Sequence, residues 1–275
     1  IYGTAFFSKE ELEKYLKQLE ESKKRDHRKL GKELDLFSFH PEAAGIPFYH
    51  PKGTLLYETL IGYWRKEHAQ EGYQEIRTPA LLREELWKKS GHYEHYHENM
   101  FFSKTQEGMM AVKPMNCPGS TLIYRSALRS YRDLPLRLSE LGLVHRYERS
   151  GVLHGLFRVK AFTIDDAHIF CREEQIEEEI TKVIRLILRV YKTFGFHEIA
   201  MSLSTRPQDS MGSEALWERA TESLKGALEQ NKIEYEIQPG GGAFYGPKID
   251  FEITDSIGRQ WQCGTIQLDF QMPER

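Results

Sequence analysis

The chain has 275 residues, 40% of them hydrophobic and 12% aromatic, which is enough for one large core or two smaller ones and reads as a folded globular protein. Its formal net charge of -3 excludes an overall basic field, so any RNA contact has to come from local patches. The three cysteines, Cys117, Cys171 and Cys263, stand far apart without a CxxC pair, and no apolar run approaches the roughly 18 residues of a membrane span, so the composition points to a reducing, cytosolic setting.

The first residue is Ile1 rather than Met, which suggests a fragment or a processed product. Ser8 followed by Glu11 is a capping-box pattern, and Leu12, Tyr15, Leu16 and Leu19 recur at helical spacing, so a short amphipathic helix is expected there. From Lys23 to Glu33 the dense charge reads as a solvated connector, with contact to RNA phosphates as the alternative. After the turn signals Gly45, Pro47, Pro51 and Gly53, a helix is expected from about Leu55 to Gln70, with Leu56, Leu60 and Trp64 on one face and Gly72 as its stop. A strand from Tyr73 to Arg77 follows and ends at Pro79.

Further on, short β-like runs outnumber helices: Met100 to Ser103, Met109 to Lys113, Leu136 to Leu141, Arg158 to Thr163, Ile199 to Ser204, Glu234 to Gln238, Ile249 to Thr254 and Gln260 to Asp269. Two longer helices interrupt them, Arg172 to Phe194 and Ser213 to Gln230. This order predicts an α+β domain, a mainly antiparallel sheet flanked by helices.

Several segments could carry chemistry. Cys117, in a loop between a strand and a helix, and His168, at the end of a strand, are both good zinc ligands; a buried structural cysteine and an ordinary histidine are the alternative. In the hairpin of residues 145 to 162, Arg146 and Glu148 are two apart and share a face, so both can point into one pocket; a cross-strand ion pair on a solvated hairpin is the competing reading. The glycine-rich run 240 to 248 is not a phosphate loop, because Pro247 removes a donor and no Ser or Thr follows Lys248, but Tyr245 and Lys248 remain candidate pocket residues. His92, His95 and His97 could bind a metal, yet their polar neighbours fit a mobile surface loop as well.

Four ordered motifs then carry a resemblance: NCPG at 116 to 119, HRYERSGVLHGLFRVKAFTIDDAHIFC at 145 to 171, GGGAFYGPKIDF at 240 to 251 and WQCGTIQLDF at 261 to 270. Together they resemble the threonyl-tRNA synthetases over nearly the whole chain. The resemblance implies a class II synthetase fold, with residues 1–38 a helical linker and 39–275 the catalytic core. It also implies a homodimer built through the first class motif, which matches the helix from Leu55 and the strand ending at Pro79.

The second class motif matches the hairpin around Arg146. The match of Arg146 holds the α-phosphate and the amino-acid carboxylate as the main catalytic group, that of Glu148 reads the adenine amino group, that of Phe162 stacks on adenine and that of Arg158 contacts the phosphates. Met115 and Gln262 match further ATP contacts. Asp166 and Tyr245 match the threonine pocket, to which Lys248 is also assigned, and Cys117 with His168 match two of three zinc ligands. The implied ligands and partners are ATP with Mg²⁺, Zn²⁺, threonine and tRNA(Thr), in the cytoplasm.

Three departures accompany the resemblance. Ile164 stands where the family usually has Gln, and Ser120 where His is common. The chain stops at Arg275, before the third zinc-ligand histidine and the third class motif, so impaired zinc binding is expected of the 275 residues alone. A non-catalytic synthetase-like binding module is the alternative function. A prolyl- or seryl-type relative is disfavoured by Cys117 and the DDAH run at 165 to 168.

Overall fold

The computed structural model describes residues 3–255 and 258–274, and the two chain ends, Ile1 and Arg275, lie outside them. Helix α1 (Lys9–Lys24) begins as expected: the Glu11 N–H donates to Ser8 Oγ at 3.1 Å, and the Glu11 carboxylate accepts from the Phe7 N–H. The charged stretch expected to be a connector is instead helix α2 (His27–Glu33), capped by Asp26 accepting from the Arg28 N–H. Lys29 and Glu33, at i and i+4, favour that helix as readily as they favour solvent.

Strands β1 (Phe37–Phe39) and β2 (Pro47–Tyr49) form an antiparallel hairpin that leads into α3 (Pro51–Gln70). This helix starts four residues before the expected Leu55, because Pro51 suits its first position. Gly53 lets it press on β1's approach, since a Cβ there would lie 1.9 Å from the Leu36 carbonyl oxygen. The strand expected at Tyr73 to Arg77 shrinks to β3 (Gln74–Glu75).

Next come β4 (Leu81–Arg83), α4 (Glu84–Lys89), α5 (His92–Tyr96), β5 (Phe101–Thr105) and β6 (Gly108–Val112), with the three strands ordered β4-β6-β5. Helix α6 (Cys117–Arg125) precedes β7 (Leu136–His145) and β8 (Ala161–Phe170), a ten-residue antiparallel pair whose β7 also takes β3 in parallel. The chain closes with α7 (Ile176–Thr193), β9 (Ile199–Ser204), α8 (Glu214–Gln230), β10 (Glu236–Gln238), β11 (Lys248–Thr254) and β12 (Gln260–Gln267).

The α+β class is as expected, and most pairings are antiparallel. The exceptions are β3 with β7 and β9 with β10, which are parallel. In the sheet β10-β9-β11-β12, alternation sorts the two faces. Met201, Leu203, Ile249, Phe251 and Ile266 turn inward and pack on Ile180, Ile184, Leu224 and Leu228 of α7 and α8, the main core. Each such buried side chain contributes about 1.5–3 kcal/mol through apolar burial. Ser202, Ser204 and Asp250 occupy the opposite face and stay buried.

Candidate active site

The register of β7 and β8 decides which side chains face the cleft. Cα partners Val144 and Phe162, Gly142 and Ile164, Glu140 and Asp166, and Leu138 and His168 share one face. The other face meets α3: the Tyr57 and Thr163 hydroxyls lie 2.5 Å apart and the Trp64 indole donates to Asp165. Asp166 and His168 therefore lie inside a strand that runs on to Phe170, a correction to the expectation that DDAH ends a strand.

Residues 113 to 117 cross the cleft face of β7. The His145 N–H donates to the Lys113 carbonyl at 3.0 Å, and Arg146 Nε donates to the Pro114 carbonyl at 3.2 Å, which places Met115 beside the cleft. Asn116 is buried against Gly142, where a Cβ would sit 2.1 Å from its Nδ2, and donates to Asp166 at 2.9 Å. The Asn116 Oδ1 has no partner among the described residues.

The Arg146 guanidinium lies 5.2 Å from the Phe162 ring centroid and 5.8 Å from that of Tyr96, a cation–π arrangement that fixes it over the site. Glu148 turns inward rather than to bulk solvent: its N–H donates to the Arg146 carbonyl, and its carboxylate pairs with Arg158 at 3.0 Å. Burial raises the Tyr96 phenol, with the charges of Arg146, Glu148 and Arg158 acting on it as well. Glu148 and Arg158 lie in the loop between β7 and β8, so their ion pair ties the two arms of that loop rather than crossing between strands.

Close by is a cavity of about 530 Å³ lined by Cys117, His168, Gln267 and Asp269 among others. Tyr245 is buried and donates to Gln267 Oε1. Its turn requires Gly246, where a Cβ would lie 1.7 Å from the Leu268 carbonyl oxygen. Burial, with Cys117, Asp269 and Asp166 around it, holds the Tyr245 hydroxyl well above the ordinary phenol range.

Cys117 opens α6 and is partly buried; desolvation first, then the Asp166 and Asp269 carboxylates, pushes its thiol up. A metal binding there would have to displace that proton. Among the described residues no three His, Cys, Asp or Glu side chains stand close enough to hold a metal. Cys117 and His168 line one cavity but do not by themselves fit a catalytic zinc, which takes three protein ligands.

Lys248 and Gln262 gather elsewhere, around Asp250. Lys248 Nζ lies 2.9 Å from Asp250 Oδ2, and Gln262 Nε2 donates to Asp250 Oδ1 at 2.5 Å. The bridge between this cluster and the hairpin loop is aromatic: Phe157 packs on Trp261 with centroids 4.9 Å apart.

A model of the tRNA synthetase class II core domain (G, H, P, S and T) matches residues 101–275. The chain belongs to this class II core family. Over its full length it is 62% identical to a threonine–tRNA ligase of Clostridium botulinum (strain Okra / Type B1) and 63% identical to one of Clostridium tetani, and it spans 43% of each.

Among solved structures it resembles the RNA binding domain of threonyl-tRNA synthetase from Cryptosporidium parvum Iowa II, with a TM-score of 0.88 and 45% identity over 91% of this chain and 62% of that one. It also resembles a putative threonyl-tRNA synthetase from Aeropyrum pernix, with a TM-score of 0.79 and 34% identity over 89% of this chain and 60% of that one.

Sequence reasoning did not single out Tyr96, Asn116 and Gln267, which the fold sets beside Arg146, Asp166 and Tyr245 respectively. Gln267 was within reach, since it sits in a quoted motif on a strand that ends at the cavity. Asn116 was within reach too, in the NCPG motif, whereas Tyr96 gains its place only through tertiary packing. The histidine cluster is corrected: His92 is fully buried, bonds Ser90 Oγ through Nδ1 at 2.8 Å, and has its pKa lowered to about 4 by burial. His95 stacks on Phe244 at 4.3 Å, so packing against the glycine-rich run, rather than a mobile loop, explains these residues.

Proposed function

We propose that the site activates threonine with ATP and that the native protein is a threonine–tRNA ligase, transferring the threonyl group to tRNA(Thr) in the cytoplasm. The carrying observation is the common face of β7 and β8. It lines up Phe162, Asp166 and His168 beside Arg146, so a nucleotide wall adjoins a cavity lined by Cys117, His168 and Gln267, the last of which accepts from the Tyr245 hydroxyl.

Activation joins the threonine carboxylate to the α-phosphorus and releases pyrophosphate. The protein has to position the reactants and offset charge rather than supply a nucleophile. In this reading Arg146 spans the α-phosphate and carboxylate, Phe162 stacks on adenine, Glu148 accepts from its amino group, and Arg158 meets the outer phosphates together with Mg²⁺. Met115 borders the nucleotide side and Asp166 accepts from the threonine amino group, while Gln262 and Lys248 would reach the ligands only from the separate cluster around Asp250.

The metal reading supplements this: Cys117 and His168 give two donors, and a third from outside the described residues would complete a zinc site. Bound there, zinc would supply selectivity through the threonine hydroxyl, where an apolar pocket separates valine only about 10²-fold. The test is exchange of labelled pyrophosphate into ATP by the native protein, with and without zinc. Threonine should support it, valine should not, and metal removal should erase that difference; equal exchange with valine in the zinc-loaded protein would refute the reading.

The homodimer rests on α3. Its expected single face divides: Trp64 is buried, but Leu55, Leu56 and Leu60 are 71%, 51% and 43% exposed, beside Phe48 and Tyr49 of β2. Such an apolar patch on the first class motif fits an interface between copies. Leu56→Glu with Leu60→Glu should convert a dimer to a monomer in sedimentation equilibrium, and a wild type that is monomeric at micromolar concentration would contradict the proposal.

A further inference from the structure

Helix α2 reaches the tip of the hairpin loop through one histidine. The tip is a tight reversal in which His154 N–H donates to the Arg158 carbonyl at 3.1 Å and Arg158 N–H donates back at 3.3 Å. Between them the Leu156 N–H donates to His27 Nε2 at 2.9 Å, across 129 residues of sequence. The His27 ring packs on Phe157 with centroids 4.5 Å apart, and Phe157 reaches on to Trp261. Gly155 has φ +51° and a Cβ there would lie 2.1 Å from His27 Nε2, so the loop closes on the imidazole only because that position is glycine.

We propose that His27 is a positioning residue for the activation reaction, clamping the loop tip so that Arg158 and its partner Glu148 are held at the phosphate side of the cleft. This rests on the ATP reading of the hairpin given above. Arg158 is part of the bridge that brackets Leu156, so the tip cannot shift without moving its backbone. The tip, residues 153–156, is half-buried, and beside the His154–Arg158 bridge and the Phe157–Trp261 contact it is the bond to His27 that ties it to helix α2. The contact needs an unprotonated Nε2. Desolvation of the partly buried ring lowers its pKa and favours that state, against Asp26 at 3.9 Å and with Arg28 and His154.

Two variants of the full-length protein separate clamp from bulk. His27→Leu keeps volume and removes the acceptor, while His27→Gln offers a carboxamide oxygen at similar reach. Deuterium exchange of the segment 150–158 should quicken about tenfold in His27→Leu, with α7 and α8 unchanged, and stay near wild type in His27→Gln. In pyrophosphate exchange the KM for ATP should rise about tenfold in His27→Leu, while the KM for threonine holds and His27→Gln recovers most of the loss.

Unaltered deuterium exchange in His27→Leu would overturn the clamp whatever the kinetics. Faster loop exchange with an unchanged KM for ATP would overturn the positioning role. A wild type without threonine-dependent exchange would refute the proposed function instead, and the deuterium result alone would then decide the clamp.

Discussion

Arg146→Ala in the full-length protein is expected to lower threonine-dependent pyrophosphate exchange by about 10² to 10³, equivalent to about 3 to 4 kcal/mol of transition-state stabilisation. The size follows from where the guanidinium is held. Its Nε is anchored to the Pro114 carbonyl, its plane lies near Phe162 and Tyr96, and no carboxylate among the described residues pairs with it within 4 Å. The charge is therefore preorganised and available to phosphate and carboxylate together. Removing it should leave the fold intact, because the Arg146 backbone N–H still donates to the Lys160 carbonyl at 2.8 Å. A variant with near-normal exchange and an unchanged unfolding midpoint would show that the clamp lies elsewhere.

Glu140→Ala is expected to destabilise the fold by about 3–5 kcal/mol, the usual cost of removing one partner of a buried pair. Glu140 accepts from the Thr78 N–H at 2.8 Å, the Thr78 hydroxyl at 2.9 Å and Lys113 Nζ at 2.9 Å, and both charged side chains are almost wholly buried. The triad ties the segment after β3 to β7 and to the segment leading into Asn116, on the same face of the β7–β8 pair as Asp166. Deleting the carboxylate strands the Lys113 charge and a backbone donor away from water. The paired change Glu140→Leu with Lys113→Met should recover most of the loss, because it removes both charges at once. Urea midpoints read at constant m decide this. A single variant within about 1 kcal/mol of wild type would mean that water reaches the pair after all.

The parts of the fold that were legible had strong periodicity. Ile180, Val183, Ile184, Ile187 and Leu188 announce α7 from the sequence, and the inward residues of β9 and β11 alternate cleanly. Helix α2 was hidden because its face is almost all charge, and only docking of its Gly31 on Phe37 reveals what it covers. Short strands such as β4 were hidden because three residues carry no period. Alternation was the reason for reading Arg146 and Glu148 together, but β7 ends at His145, and Arg146 meets Phe162 and Tyr96 while Glu148 meets Arg158. The convergence of Cys117 with His168 was not readable from spacing, since it depends on the register of β7 against β8 and on α6 starting at Cys117. Gln262 was assigned to a ligand by resemblance and Lys248 from the glycine-rich run, whereas each has Asp250 as its contact in the fold.

In the proposed function the Arg146 wall and the Cys117–His168 cavity form one site for ATP and threonine. The most direct measurement is pyrophosphate exchange by the full-length protein with threonine, proline, serine or no amino acid. Exchange supported strongly by threonine, weakly by serine and not by proline is the predicted result. Exchange that follows proline, or none with any amino acid, would contradict the account and favour a synthetase-like binding module.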